Sequence, residues 1–222
     1  MEGPVLFYNG TEFEAMFHLP DPTSTKRAVL LVALLLMSGS AFAADPIEEK
    51  AKICTACHGE TGVPQLKTTP VIWGQNEGYL FLQLRDLQSG ARKNELMSPI
   101  AATLAKEDLL PLAGYFSKLK WPNLQQPEAP KDVAAKAQSA AASVGCPGCH
   151  LHHFQGDGST ARLAGQQREY LQKTMVDFRN RTRGNNPGMS DLMNATSSDD
   201  LTALAEYLAG LQIDQYLGSE HR

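Results

Sequence analysis

Two short motifs hold all four cysteines of the chain. They are Cys54-x-x-Cys57-His58 and, 92 positions later, Cys146-x-x-Cys149-His150. A Cys-x-x-Cys-His run is the attachment signature of a c-type haem, because two thiols one tight turn apart bond to the porphyrin edge and the adjoining histidine coordinates the iron. The two motifs therefore predict two covalently bound haem c groups, each with its iron.

Two other uses of cysteine compete with this interpretation. Paired Cys-x-x-Cys motifs also bind structural zinc, usually with about 15–20 residues between the pairs. Here Cys57 and Cys146 lie 89 positions apart. Disulfides would suit an exported protein, but they leave the histidine after each motif unexplained.

The predicted iron ligands are two histidines and two methionines. His58 and His150 are the proximal ligands, and Met97 and Met189 each follow their own histidine by 39 positions, in a predicted loop before the last helix. Methionine opposite histidine raises the reduction potential and closes the iron, which suits electron transfer. Met193 is the main rival of Met189.

Neighbouring side chains receive less specific expectations. A ligating histidine usually donates its second ring N–H to a fixed acceptor, and the carbonyls of Pro70 and Ala161 are the candidates. Arg92 and Arg183 lie either near haem propionates or at helix C-termini. We expect Met175 to be a core residue, and His152 and His153 to be exposed loop residues. Four tyrosines are expected to pack as aromatic side chains: Tyr79, Tyr115, Tyr170 and Tyr207.

The N-terminus resembles a secretory signal. Lys26 and Arg27 precede ten apolar residues, 28–37, and then the Ala-x-Ala site at 41–43. Ten helical residues span about 15 Å, half of the roughly 30 Å hydrocarbon core, so we expect cleavage after Ala43 and an exported protein. The alternative is a retained anchor. Residues 1–25 receive no predicted fold, because translation from a downstream start such as Met16 would omit them.

The rest of the chain reads as helices separated by turns. Helices are predicted from about 46 into the first motif, over 77–87 with Gly90 ending it, over 106–119, and over 131–143. Prolines at 122, 127 and 130 without periodicity predict an extended linker over 121–131.

An internal repeat unites these elements. A shift of 92 positions carries the first motif, Met97 and Leu112 onto their second copies. A shift of 91 carries Gln75, Tyr79 and Arg92 onto theirs. The chain is therefore predicted to be all-α, with one haem domain at 45–120 and a second at 132–217. Each is small enough that a buried haem would supply much of its core.

Charge excludes one class of partner. The first 43 residues hold four acidic and two basic side chains, leaving 20 acidic and 18 basic ones after them. A balance this close to neutral argues against nucleic acid. No phosphate-binding loop, nucleophile motif or carboxylate pair stands out.

Several motifs together resemble the diheme cytochrome c4 family. They are the Cys-x-x-Cys-His-Gly run, Pro70-x-x-x-Gly74-Gln75, the segment 79–86, Ser89-Gly-Ala-Arg-Lys93, the methionine region and the closing Leu-Ala-x-Tyr helix. The resemblance covers about 46–217 and implies two tandem class I cytochrome c domains, each with a His/Met haem iron. In the second copy Leu151-His152-His153 replaces the usual glycine-rich continuation.

The resemblance also implies a role. Members are periplasmic, sometimes membrane-associated, and pass electrons between respiratory complexes and terminal oxidases. We therefore expect a monomeric electron carrier with redox-protein partners and no catalysed bond change. Two alternatives stay open: a haem enzyme with an open iron, such as a diheme peroxidase or a thiosulfate-type dehydrogenase, and the cytochrome subunit of a flavin-containing sulfide dehydrogenase.

Overall fold

The computed structural model describes residues 46–212, and every structural statement below concerns that range. It forms nine α-helices there and no β-strand. The helices are α1 (Pro46–His58), α2 (Glu77–Ser89), α3 (Met97–Ala102), α4 (Lys106–Ser117), α5 (Lys131–Ser143), α6 (Pro147–His150), α7 (Arg168–Arg179), α8 (Pro187–Ala195) and α9 (Ser198–Gly210). The expectations for the signal segment, the translation start and residues 213–217 lie outside the described residues.

The first half, residues 46–120, is built from α1 to α4. Helix α2 packs against α3 and α4, and α1 packs against α4. Their shared apolar cluster contains Ala51, Leu80, Leu112, Ala113 and Phe116. Gly90 ends α2 in the left-handed conformation, with φ of 80°, which a residue without a Cβ adopts at little cost.

The second half, from residue 121 onward, repeats this plan with α5 to α9. Helix α9 packs against α5 and α7, and α7 packs against α8. A second apolar cluster contains Leu171, Phe178, Leu201, Leu204 and Leu208. Burying leucine and phenylalanine side chains stabilises the fold by about 1.5–3 kcal/mol each, and in both halves this burial surrounds the haem motifs.

The predicted helices are found with small shifts at their ends. Helix α2 extends to Ser89 and α4 stops at Ser117. One expectation was wrong: the methionine regions are helical, since Met97 begins α3 and Met189 lies in the first turn of α8. Pro187 at the start of α8 favours a helix there because its fixed φ suits the first helical turn.

Residues 121–130 contain no helix, and they lie against the rest of the second half. Trp121 is buried with 6% of its surface exposed. Gln126 donates from Nε2 to the carbonyls of Gln166 and Ala209, at 2.9 and 3.2 Å. The extended stretch is therefore tied to the end of α9.

Among residues 46–212, no helix is both long enough and apolar enough to cross a bilayer.

Candidate haem-binding sites

The first motif lies at the C-terminal end of α1, so its two cysteines fall on successive turns of one helix. Cys54 is half-buried against the first apolar cluster, whereas Cys57 is exposed. Burial raises the pKa of the Cys54 thiol to about 11, which keeps it protonated near neutral pH. His58 follows with only 5% of its surface exposed.

The second motif lies in the short helix α6 and at the residue just before it. Cys146 precedes α6, Cys149 is exposed within it, and His150 is buried at its end with 8% exposure. All four thiols are unpaired. Within residues 46–212 no three His, Cys, Asp or Glu side chains converge on one point.

Both histidines are oriented by a backbone carbonyl, as the sequence predicts. Nδ1 of His58 lies 2.8 Å from the Pro70 carbonyl oxygen, and Nδ1 of His150 lies 2.9 Å from that of Ala161. A carbonyl can only accept, so each Nδ1 carries the proton and each Nε2 keeps a free lone pair. Burial lowers the pKa of both imidazoles, which favours their neutral form.

Each candidate methionine is held at the start of a helix by an asparagine. Asn94 Oδ1 accepts from the Met97 backbone N–H at 2.8 Å, and Asn186 Oδ1 accepts from that of Met189 at 3.1 Å. Sequence reasoning missed both asparagines. The signal was available, because they are related by the same shift of 92 as the methionines.

Met175, His152 and His153 of the second half lie where the sequence predicts, the first in the core and the other two at the surface. Met175 and Met193 are buried in the second apolar cluster, with 8% and 2% exposure. Met189 is only partly buried at its edge, which leaves it the more available sulfur. His152 and His153 are exposed.

A polar cluster lies where the two halves meet. Gln83 Oε1 accepts from Arg92 Nη1 at 3.0 Å and from Arg183 Nη2 at 2.7 Å, and Arg183 also donates to the Tyr79 hydroxyl. Burial opposes ionisation of Tyr170, but the charges of Arg92 and Arg183 outweigh it and lower the pKa of Tyr170 to about 7. Tyr79 and Tyr170 are thus polar partners of arginine, which differs from the aromatic packing expected.

The expected packing holds for the other two tyrosines. Tyr115 meets Phe116 edge-on with ring centroids 5.1 Å apart, and Tyr207 meets Phe154 edge-on at 6.3 Å. Both pairs have the edge-to-face arrangement that aromatic quadrupoles favour.

The residues present fit haem c. Beside the thiols and the free histidine nitrogens, three buried donors have no hydrogen-bond partner among the described residues: Trp73 Nε1, Trp121 Nε1 and Arg183 Nη1. Unpartnered buried donors are rare and costly. The carboxylates of a haem are anionic hydrogen-bond acceptors, which is what such donors need. Arg183 carries its charge at 5% exposure, so an anion close to it would lower the cost of that burial.

The sequence departs from its own first copy just after His150. Leu151 stands where the first half has Gly59, and its φ of 64° with ψ of 171° lies in a region that glycine alone adopts readily. The replacement of glycine by leucine at this position is therefore accompanied by backbone strain.

Comparison with known proteins places the chain in a family, although no protein-family model matches it. It is 33% identical over 200 residues to cytochrome c4 of Pseudomonas aeruginosa, covering 82% of this chain and 98% of that one. It is also 33% identical over 199 residues to the thiosulfate dehydrogenase electron acceptor of Stutzerimonas stutzeri, covering 81% and 92%.

A solved structure agrees with these relatives. Reduced recombinant cytochrome c4 from Pseudomonas stutzeri superposes with a TM-score of 0.67 at 28% identity, covering 75% of this chain and 97% of that one. The fold is thus the all-α arrangement of class I cytochrome c domains. The chain belongs to the diheme cytochrome c4 family, and its two Cys-x-x-Cys-His motifs carry two covalently bound haem c groups.

Proposed function

We propose that this protein is a periplasmic electron carrier that moves electrons between respiratory-chain donors and a terminal oxidase or reductase. The observation that carries the proposal is the matched construction of the two sites. In each, a buried neutral histidine is oriented by a carbonyl, and an asparagine-held methionine follows at the same spacing. Two strong-field ligands leave an iron no open position, which suits electron transfer and disfavours substrate chemistry.

The proposed ligands divide evenly between the halves. Cys54, Cys57, His58 and Met97 hold the first haem, and Cys146, Cys149, His150 and Met189 hold the second. The bound haem supplies the one-electron chemistry. The chain orients the histidine, limits access of water by burial, and sets each reduction potential through the methionine and the hydrogen bonds around the site.

Location and assembly belong to the same proposal. The apolar run at 28–37 with its Ala-x-Ala site supports export and cleavage after Ala43. In the periplasm the protein would act as a monomer, with peripheral membrane association bringing it to its redox-protein partners. The near-neutral charge of the exported chain supports protein rather than nucleic-acid partners.

A second candidate has one specific observation in its favour. The Stutzerimonas stutzeri relative is named for accepting electrons from thiosulfate dehydrogenase, and the match to it spans most of both chains. In that role the protein would be the fixed electron acceptor of a dehydrogenase. A flavin-containing dehydrogenase is the other enzyme class that would use such a subunit.

One set of measurements on the native holoprotein tests the carrier role. We expect the oxidised protein to be low-spin at both haems and not to bind cyanide at low concentration, because both irons are closed. The reduced protein should be reoxidised by membranes that contain a terminal oxidase. A high-spin haem together with tight cyanide binding would show an open iron and contradict the proposal.

Purification from the periplasmic fraction separates the two roles. A carrier elutes alone and is reduced by more than one donor. Elution in fixed ratio with a dehydrogenase, with haem reduction only when the substrate of that enzyme is added, would instead establish the second candidate.

A further inference from the structure

Two buried glutamines cross between the halves of the molecule. Gln75 precedes α2 and Gln166 precedes α7, and they are related by the repeat shift of 91. Their exposed fractions are 3% and 2%. A glutamine so buried needs a partner for both ends of its amide, and each finds these partners in the other half.

Each amide clamps one residue of the opposite half. Gln166 Oε1 accepts from the Val71 N–H at 2.7 Å, and its Nε2 donates to the Val71 carbonyl at 3.0 Å. Gln75 does the same to Arg162, at 2.7 and 3.0 Å. The partners fix which amide atom faces which way, because N–H groups face each oxygen and a carbonyl faces each nitrogen.

The clamped groups are the ones that orient the haem histidines. The Val71 N–H and the Pro70 carbonyl belong to a single peptide group, and that carbonyl accepts from His58 Nδ1 at 2.8 Å. The Arg162 N–H and the Ala161 carbonyl form the equivalent group, which accepts from His150 Nδ1 at 2.9 Å. One chain of hydrogen bonds thus runs from each glutamine to the histidine of the other half.

Hydrogen bonds in such a chain strengthen one another. An acceptor on the N–H of a peptide polarises its carbonyl, by about 10–30% per bond, and the low interior dielectric enlarges the effect. A stronger acceptor draws the Nδ1 proton and makes the imidazole more electron-rich. An electron-rich ligand favours ferric over ferrous iron.

We propose that Gln166 and Gln75 are positioning residues that tune the haem potentials crosswise, Gln166 acting on the haem of His58 and Gln75 on the haem of His150. The inference rests on the histidine ligation given under the proposed function. Each half of the protein then sets part of the potential of the other, so separating the halves would alter both.

The test replaces each glutamine by methionine, which is close in length but forms no such bonds. In Gln166→Met the potential of the His58 haem should rise, with about a threefold shift of its oxidised-to-reduced equilibrium, or about 28 mV at 59 mV per tenfold. The His150 haem should keep its potential. In Gln75→Met the potential of the His150 haem should rise and that of the His58 haem should stay unchanged. Gln166→Asn, shorter by one methylene, is a milder second variant with the same expected direction.

Nuclear magnetic resonance of the reduced holoprotein gives an independent readout. The Nδ1–H proton of His58, assigned by its proximity to Pro70, should move upfield in Gln166→Met while that of His150 stays. Asn76→Leu is the matched control. Asn76 Nδ2 also crosses between the halves, to the carbonyls of Gln155 and Thr160 at 3.2 and 2.7 Å, but it touches neither histidine-bound peptide, so neither haem should shift.

The unmodified protein is measured first. Two low-spin haems with one Nδ1–H resonance for each histidine support the ligation, and their absence would overturn the ligation and this inference together. With the ligation established, glutamine variants that shift their own half's haem, both haems equally, or neither would overturn the crosswise tuning alone.

Discussion

Replacing Leu151 should reveal stored strain directly after the second haem motif. Its φ of 64° and ψ of 171° fall in a region where a residue with a Cβ pays about 1–3 kcal/mol. Leu151→Ala keeps that cost and Leu151→Gly removes it, while both lose every side-chain atom beyond Cβ. The comparison of the two variants therefore isolates the backbone.

The magnitude follows from two opposing terms. Relief of strain gains about 2 kcal/mol, and the greater freedom of glycine in the unfolded chain costs about 0.7 kcal/mol. We expect the glycine variant to exceed the alanine variant by about 1 kcal/mol in free energy of unfolding. For a protein of this size that corresponds to about 2–4 °C in Tm.

Guanidinium unfolding of the oxidised holoprotein, followed by circular dichroism and haem absorbance, measures the difference. Gly59→Ala in the first half is the matched control, because φ is +89° there and an added Cβ would lie 2.0 Å from the Val63 carbonyl oxygen. It should destabilise by more than about 2 kcal/mol. An alanine variant of Leu151 as stable as the glycine variant would refute the strain argument.

Two further substitutions test the helix that holds Met189 and the contact between the halves. Asn186→Ala should cost about 1 kcal/mol and weaken the proposed Met189–iron bond, seen as earlier loss of the methionine charge-transfer band on raising pH. Ser197→Ala, which removes the cap of α9, should cost the same and leave the band unchanged. Gly78→Ala would place a Cβ 2.8 Å from the Gly158 carbonyl oxygen in the other half, whereas Gly114→Ala meets its nearest atom at 3.6 Å. Hydrogen exchange across the contact should therefore quicken in the first variant only, and equal exchange in both would contradict this packing.

Local pattern predicted those parts of the sites that depend on short spacing. The motif places two thiols and a histidine on one helix end, and the repeat identified the Pro70 and Ala161 carbonyls as acceptors for the two histidines, which the distances of 2.8 and 2.9 Å confirm. The chain length between histidine and methionine is likewise a sequence property, and the assignment of Met97 and Met189 as ligands stays a prediction.

Contacts between distant segments could not be predicted in this way. Gln166 and Val71 are 95 positions apart, and no periodicity in the sequence indicates which backbone amide a buried glutamine contacts. The helices at Met97 and Met189 were missed for a local reason, because α3 has six residues and α8 nine, and helices this short depend on caps and tertiary packing more than on propensity.

A spectroscopic redox titration tests the central claim, two closed irons each ligated by histidine and methionine. The account predicts two one-electron waves, each with a methionine-to-iron charge-transfer band in the oxidised protein. Met97→His should abolish the band of the first haem alone, and Met189→His that of the second alone. A band that persists in its own variant would contradict the assignment of that methionine.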